Sequence, residues 1–155
     1  DMRTLVTGLE AYRVDNTDYP IDRGYGQYYE DWKQLTTPVP YINNIPLDPF
    51  PIVDVPQELQ DWVRPGQPIP FDFGRPSSSW PPDLAQPYYR NNVHYFFVSP
   101  GPSLVYDTWF SRGDGHKLVP LLPAAPGRVL LYDPTNGTVS SGDLIATSKG
   151  GLHNQ

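Results

Sequence analysis

The chain contains no cysteine, which excludes disulfide staples and every zinc or redox centre built on thiolates. Long apolar runs are also missing. The longest, "YFFV" and "VLLY", fall far short of the roughly 18 residues needed to cross a bilayer, so the 155 residues as they stand are expected to be soluble. Basic residues are few and scattered: 11 Lys and Arg stand against 17 Asp and Glu, a formal charge of −6. Without a basic cluster to neutralise phosphates, a nucleic-acid or anionic-membrane surface is excluded. Catalytic signatures are absent as well: there is no GxSxG elbow, HExxH, P-loop or GxGxxG turn. The histidines His94, His116 and His153 are isolated from one another. His94 falls in a strand-like run and is expected to be an ordinary packed imidazole, whereas His153 lies in an exposed tail. Carboxylate pairs such as Asp15 with Asp18 and Glu30 with Asp31 are close in sequence, but that spacing does not set the separation that glycoside hydrolysis needs. The expectation is a protein that is not an enzyme.

What the chain has in excess is proline and aromatic residues. It holds 20 Pro, where average usage of about 5% would give about 8, and aromatics reach 14%. Proline limits regular structure and favours turns and extended segments, while abundant Tyr and Trp argue against disorder. At this length one domain buries roughly 70% of its unfolded surface. The composition therefore describes a single folded domain with long proline-rich loops.

The opening "DMRTLVTGLEAYRVDNTDYP" has a helical period. Met2, Leu5, Val6, Leu9 and Tyr12 fall on one stripe, with Arg3, Thr7, Glu10 and Val14 off it and expected to face solvent. Asn16, Thr17 and Pro20 supply the stop, so a helix is predicted over 1–17. No capping residue leads into it, although helices ordinarily follow one. Residues 18–92 read as a variable, loop-rich region with a short helix near 28–35, whose inner side carries Trp32 and Leu35, and a surface excursion over 52–87 with a helical turn near 57–62. Residues 93–145 read as β. "VHYFFVS" suits a central strand, and Asn136-Gly137 between two strand-like runs is the dipeptide preferred by type I′ hairpins, predicting strands near 128–133 and 138–140, the second open to continuation as far as 145. The polar tail from 146 to 155 is expected to fray. The fold class that follows is α+β: an N-terminal amphipathic helix packed on a small antiparallel sheet within one domain spanning 1–150.

Two tripeptides need no functional account. The glycosylation sequon at Asn136–Thr138 is explained by the turn, and "RGD" at 112–114 is short enough to recur by chance. The loop "DTWFSRGDG" sets Asp107 and Asp114 near glycines, an arrangement of oxygen ligands open to Ca²⁺ but without the spacing of an EF-hand loop.

Four separated segments together resemble the type IV pilin-like proteins, most closely the major pseudopilins of type II secretion systems. "DMRTLVTGLEAYRVDNTDYP" is similar to the stretch of helix that leads into a D-N-x-x-Y-P ending, and "LTTPVPYINNIPLDPF" to a loop that closes on P-x-D-P-aromatic. Tyr89–Ser99 with "SPGPS" resembles a strand running into an S-x-G-x-D loop, and "YDPTNGTVSSGDLI" a closing hairpin. The resemblance covers about half the chain and implies a filament subunit with no catalysis and no cofactor beyond a weak calcium. Its head would lie in the periplasm or outside the cell. An apolar helix preceding Asp1 would anchor it in the inner membrane and later pack into the filament core, so that Asp1 marks a cut in mid-helix. Its partners would be other pilin-like subunits and the secretion or pilus assembly machinery. Leu5, Val6, Leu9 and Tyr12 would hold helix to sheet.

The sequence also departs from that family. Segment 52–87 is longer than the usual connection, and the absence of cysteine separates the chain from pilins with a C-terminal disulfide. Ser103 stands where the family has an acidic residue near its calcium site. Loss of an anionic ligand weakens calcium binding, so a site using Asp107 and Asp114 is expected to bind no tighter than about 10⁻⁴ M. The rival expectation is a secreted carbohydrate-binding or adhesion module, whose Tyr25, Tyr28, Trp80 and Tyr88 would stack exposed on sugar rings.

Overall fold

A computed structural model describes residues 2–23, 28–55, 57, 60–61, 63–76, 82–104 and 144–151. Helix α1 spans Met2–Asn16, α2 Tyr28–Lys33 and α3 Pro82–Arg90. Strands β1 Asp72–Gly74, β2 Phe96–Ser99, β3 Leu144–Thr147 and β4 Gly150–Gly151 form one antiparallel sheet in that order. The α+β architecture is the one expected from the sequence.

The apolar stripe of α1 settles on the aromatic side of the sheet. Leu5 and Leu9 are fully buried in one cluster with Trp32, Phe73, Tyr95 and Phe97, while Met2, Val6 and Tyr12 pack half-buried at its margin. Phe73 and Phe97 are cross-strand partners, and alternation along a strand puts such pairs on one face. Arg3 and Thr7 face solvent as expected, but Glu10 is half-buried. The phenol groups of Tyr19 and Tyr95 both donate to its Oε1, at 3.0 and 3.3 Å. A charged residue can sit on that flank because two hydroxyls replace the water it loses. The helix ends where Thr17 takes a left-handed φ of 63° and Asn16 Nδ2 donates back to the Tyr12 carbonyl at 2.9 Å, satisfying an acceptor that the last turn leaves open.

Two glycines permit the closest approaches. A Cβ on Gly8 would stand 2.6 Å from Ile42 Cγ2 and 3.3 Å from Leu35 Cδ1, so only hydrogen at this position lets α1 lie against the loop after α2. Across the sheet a Cβ on Gly74 would fall inside the ring of Phe96, 2.1 Å from its Cζ. Phe96 lies over that glycine, and its outer side meets the Tyr88 ring of α3 at 5.6 Å.

The region 52–87 is no surface excursion. Ile52, Val55, Val63, Ile69, Phe71 and Phe73 are buried, β1 is a strand of the sheet, and α3 begins within the span. Prolines at 68, 70 and 76 confine the strand to three residues, too short for alternation to register. Pro82 suits the first turn of α3, but a second proline inside the helix runs against its propensity. Around 57–62 the Gln60 N–H donates to the Gln57 carbonyl at 3.3 Å, one turn as expected. The tail also differs from its expected fraying. β3 continues to Thr147, and a two-residue turn at 148–149 returns the chain as β4. Ser148 accepts from His94 N–H through Oγ at 2.9 Å and donates its own N–H to Tyr95 O at 3.0 Å. Glycine has little strand propensity, and Gly150 and Gly151 are held by pairing with Thr147 and Ala146 across the turn. The strands predicted near 128–133 and 138–140, with their turn at Asn136-Gly137, lie outside the described residues.

Leu9→Ala is expected to destabilise the fold by about 2–5 kcal/mol, as for other fully buried leucines, measured by urea unfolding. For Gly8→Ala two effects compete. Helix propensity favours alanine by about 1 kcal/mol, whereas overpacking costs about 1–3 kcal/mol. The obstructing Ile42 methyl sits on a stiff β-branched carbon, so overpacking wins and Gly8→Ala unfolds at lower urea than the parent.

Candidate functional site

The polar groups of the described residues gather at three places around the core. The first is the turn after α1. Arg75, just past β1, donates through Nη1 to the carbonyls of Tyr19 and Pro20, at 2.6 and 3.4 Å, and pairs through Nη2 with Asp18. Its backbone N–H reaches Asp22 Oδ2 at 3.3 Å. Loss of water opposes the charge on Asp18, but hydrogen bonds from Arg75 and the Tyr19 N–H outweigh this and hold its carboxyl below the usual range. On the other side of the turn, Arg13 lies over the Tyr19 ring, 5.4 Å from its centroid, and approaches Glu10. Burial, reinforced by Glu10, raises the phenols of Tyr19 and Tyr95 above their ordinary values. They remain hydrogen-bond donors at any physiological pH. The group is a fastener for the end of α1.

The second place is a run of carboxylates between α2 and β1. Asp31 is 2% exposed, and its Oδ1 accepts from the Arg23 N–H at 2.8 Å. Burial raises its pKa to about 7; the Arg23 N–H works against this, and the charges of Asp22 and Glu30 add to it. Asp72 is pushed well above the carboxylate range by lost hydration and by the charges of Asp22 and Asp31. A carboxyl titrating near 7 is the kind of group general bases are made from, but Asp31 is closed off from substrate.

The third place joins the loop 47–50 to the end of β2. Ser99 Oγ donates to Asp48 Oδ1 at 2.9 Å, and the Phe50 N–H donates to the same oxygen at 2.9 Å. A Ser–Asp pair has the composition of a nucleophile and its base, but Ser99 is fully buried and Asp48 4% exposed, so no substrate reaches the hydroxyl. A cavity of about 340 Å³ lies beside it, lined by Met2, Arg3, Pro49, Phe50, Phe71, Ser99 and Leu144. Its walls are chiefly apolar.

The expected site residues are distributed as follows. Leu5, Val6, Leu9 and Tyr12 converge on the core. Asp107, Asp114, Asn136 and Gly137 lie outside the described residues, as do Tyr25, Trp80, His116 and His153. Tyr28 and Tyr88 are only 3% and 2% exposed, so neither is a platform for a sugar ring. Burial of both follows from packing on the sheet and its helices, which composition does not reveal. His94 precedes β2 and is exposed, its ring 5.7 Å from that of Tyr19. Among the described residues no group of three or more His, Cys, Asp or Glu is placed to hold a metal ion, and no helix is long and apolar enough to cross a membrane. Arg75, Asp48 and Ser99 carried no signal as a set: Asp48 and Ser99 stand 51 residues apart, and the P-x-D-P and S-x-G patterns drew attention to these two separately, with nothing to join them.

The carboxyl of Asp31 sets a pH dependence. An aspartate raised in the folded state is protonated there between about pH 4 and 7 while it is ionised in the unfolded chain. Stability is therefore greatest below pH 4, falls across that window and levels off above it. Asp31→Asn should flatten the dependence by a few kcal/mol, at most about 4, as read from urea midpoints at each pH. An unchanged slope would show that Asp31 titrates normally.

The chain matches no protein-family model, no curated protein and no solved structure.

Proposed function

We propose that the chain is a structural subunit of a type II secretion pseudopilus or a type IV pilus-like filament, its globular head held outside the cytoplasm and its work done by assembly. The observation that carries this reading is where the motif residues go. Tyr19 and Pro20 of the D-N-x-x-Y-P ending are gripped by Arg75. Asp48 of the P-x-D-P turn bonds to Ser99 at the start of the S-x-G loop. Three segments that resemble the pilin-like family thus spend their polar groups on holding the head together and seating α1, which is what a filament subunit asks of them. The carbohydrate-binding alternative loses Tyr28 and Tyr88 to the interior.

α1 is firmly seated at its C-terminal end, and the chain carries a net charge of −6. The 155 residues alone should therefore stay monomeric in dilute solution, because net charge opposes self-association. Expressed from its gene with the natural upstream coding sequence and its assembly partners, the protein should form multimers. The chain has no cysteine of its own, so a single Val14→Cys at an 81% exposed position gives a clean cross-linking probe. The expected result is a ladder of multimers in the membrane and sheared-filament fractions. Monomer alone, released to the medium, would sink the proposal.

A further inference from the structure

We propose that Asp48 is a proton-operated clasp: neutral, it ties the loop 47–50 to the end of β2 and the turn behind it, and ionised it lets these segments part. The geometry is that of a knot. The Asp48 N–H donates to Ile69 O at 2.8 Å, and Oδ1 accepts from both Phe50 N–H and Ser99 Oγ. Ser99 Oγ in turn accepts from the Gly101 N–H at 3.2 Å, which opens the 3₁₀ turn Gly101–Ser103. The loop 47–50 and the end of β2 meet at the carboxyl itself, and the Gly101 turn is tied on through Ser99. Its second oxygen, Oδ2, is buried and has no hydrogen-bond partner. A carboxylate needs donors at both oxygens when water is excluded, so the anion is poorly served here, whereas the neutral acid leaves one O–H unmatched but buries no charge.

The surroundings offer little relief. Residues 47–50, 69–71, 96–104 and 144–147 contain no ionisable side chain other than Asp48 itself. Among the described residues, Arg3 is the charged side chain that lines the neighbouring cavity. Burial prevails over the bonds from Phe50 and Ser99, and the carboxyl rises to about 6. The adjacent space is the cavity bounded by Pro49, Phe50 and Ser99. Turning the ionised carboxylate towards water there gives up the bond to Ser99 or to Phe50. Met2 and Arg3 of α1 share that cavity, so the opening is felt at the first turn of the helix. The clasp goes beyond the filament reading and does not depend on it.

Linkage sets the expected size. With the carboxyl near 6 when closed and near 4 when open to water, opening becomes more favourable between about pH 4 and 6 and then levels off, by up to about a hundredfold in all. The test is NMR on the whole chain from pH 4 to 7.5, following the Asp48 side-chain carboxyl carbon and the hydrogen exchange of the Phe50 and Gly101 amides. The carboxyl should titrate near 6, and both amides should exchange faster with pH than the tenfold per unit that hydroxide catalysis supplies. In Asp48→Asn that excess should vanish. A carboxyl midpoint near 4, exchange that follows hydroxide alone, or the same excess in the variant would each overturn the clasp. If Asp48→Asn does not fold, the carboxyl titration of the parent chain decides.

Discussion

Leu5 and Leu9 lie against the rings of Trp32, Phe73, Tyr95 and Phe97, and each buried leucine contributes roughly 1.5–3 kcal/mol by leaving water. This apolar contact orders the rest. It brings a helix from the front of the chain, a turn of helix from residues 28–33 and strands from 72–74 and 96–99 to one place. Trp32 shows how the contact is finished: its ring meets Phe73 at 5.0 Å and Phe97 at 5.9 Å, while its indole N–H donates to the Phe71 carbonyl at 2.7 Å. A large ring buried with its one donor satisfied adds area without an unpaired polar group.

Polar ties surround this contact and decide its geometry. Arg75 fixes the turn after α1, Glu10 collects two tyrosine hydroxyls, and Asp48 joins a loop to β2. The bonds at Arg75 and Glu10 are charge-assisted, stronger than neutral ones and directional, so they set where a helix ends, while the Asp48 bonds set how a loop lies. They also turn the Ser99–Asp48 pair inward, where both residues are buried.

The carboxyls of Asp31, Asp48 and Asp72 are all raised, mainly by burial. A chain of net charge −6 that folds around protonated carboxyls gains stability as the solution becomes mildly acidic, both by linkage and by relief of self-repulsion.

Periodicity over a few residues made α1, α2 and the strand within 93–99 legible, because each is stabilised by neighbours in sequence and shows its buried face as a local repeat. The stripe through Leu5 and Leu9 needed no partner to be seen. Glu10 lies off that stripe, and only the arrival of Tyr19 and Tyr95 brought it inside. The strand at 72–74, the helix at 82–90 and the pair Gly150–Gly151 were hidden for the same reason. Their proline or glycine content opposes regular structure locally; pairing with β2 overrides it for 72–74, and the turn after β3 brings Gly150 and Gly151 back onto the sheet. The sequence by itself determined which residues have to leave water and the class of fold that could bury them. Which polar groups would follow them inside was decided by tertiary structure alone, since Asp48 meets Ser99 and Arg75 meets Asp18 only after the chain has closed over more than fifty residues.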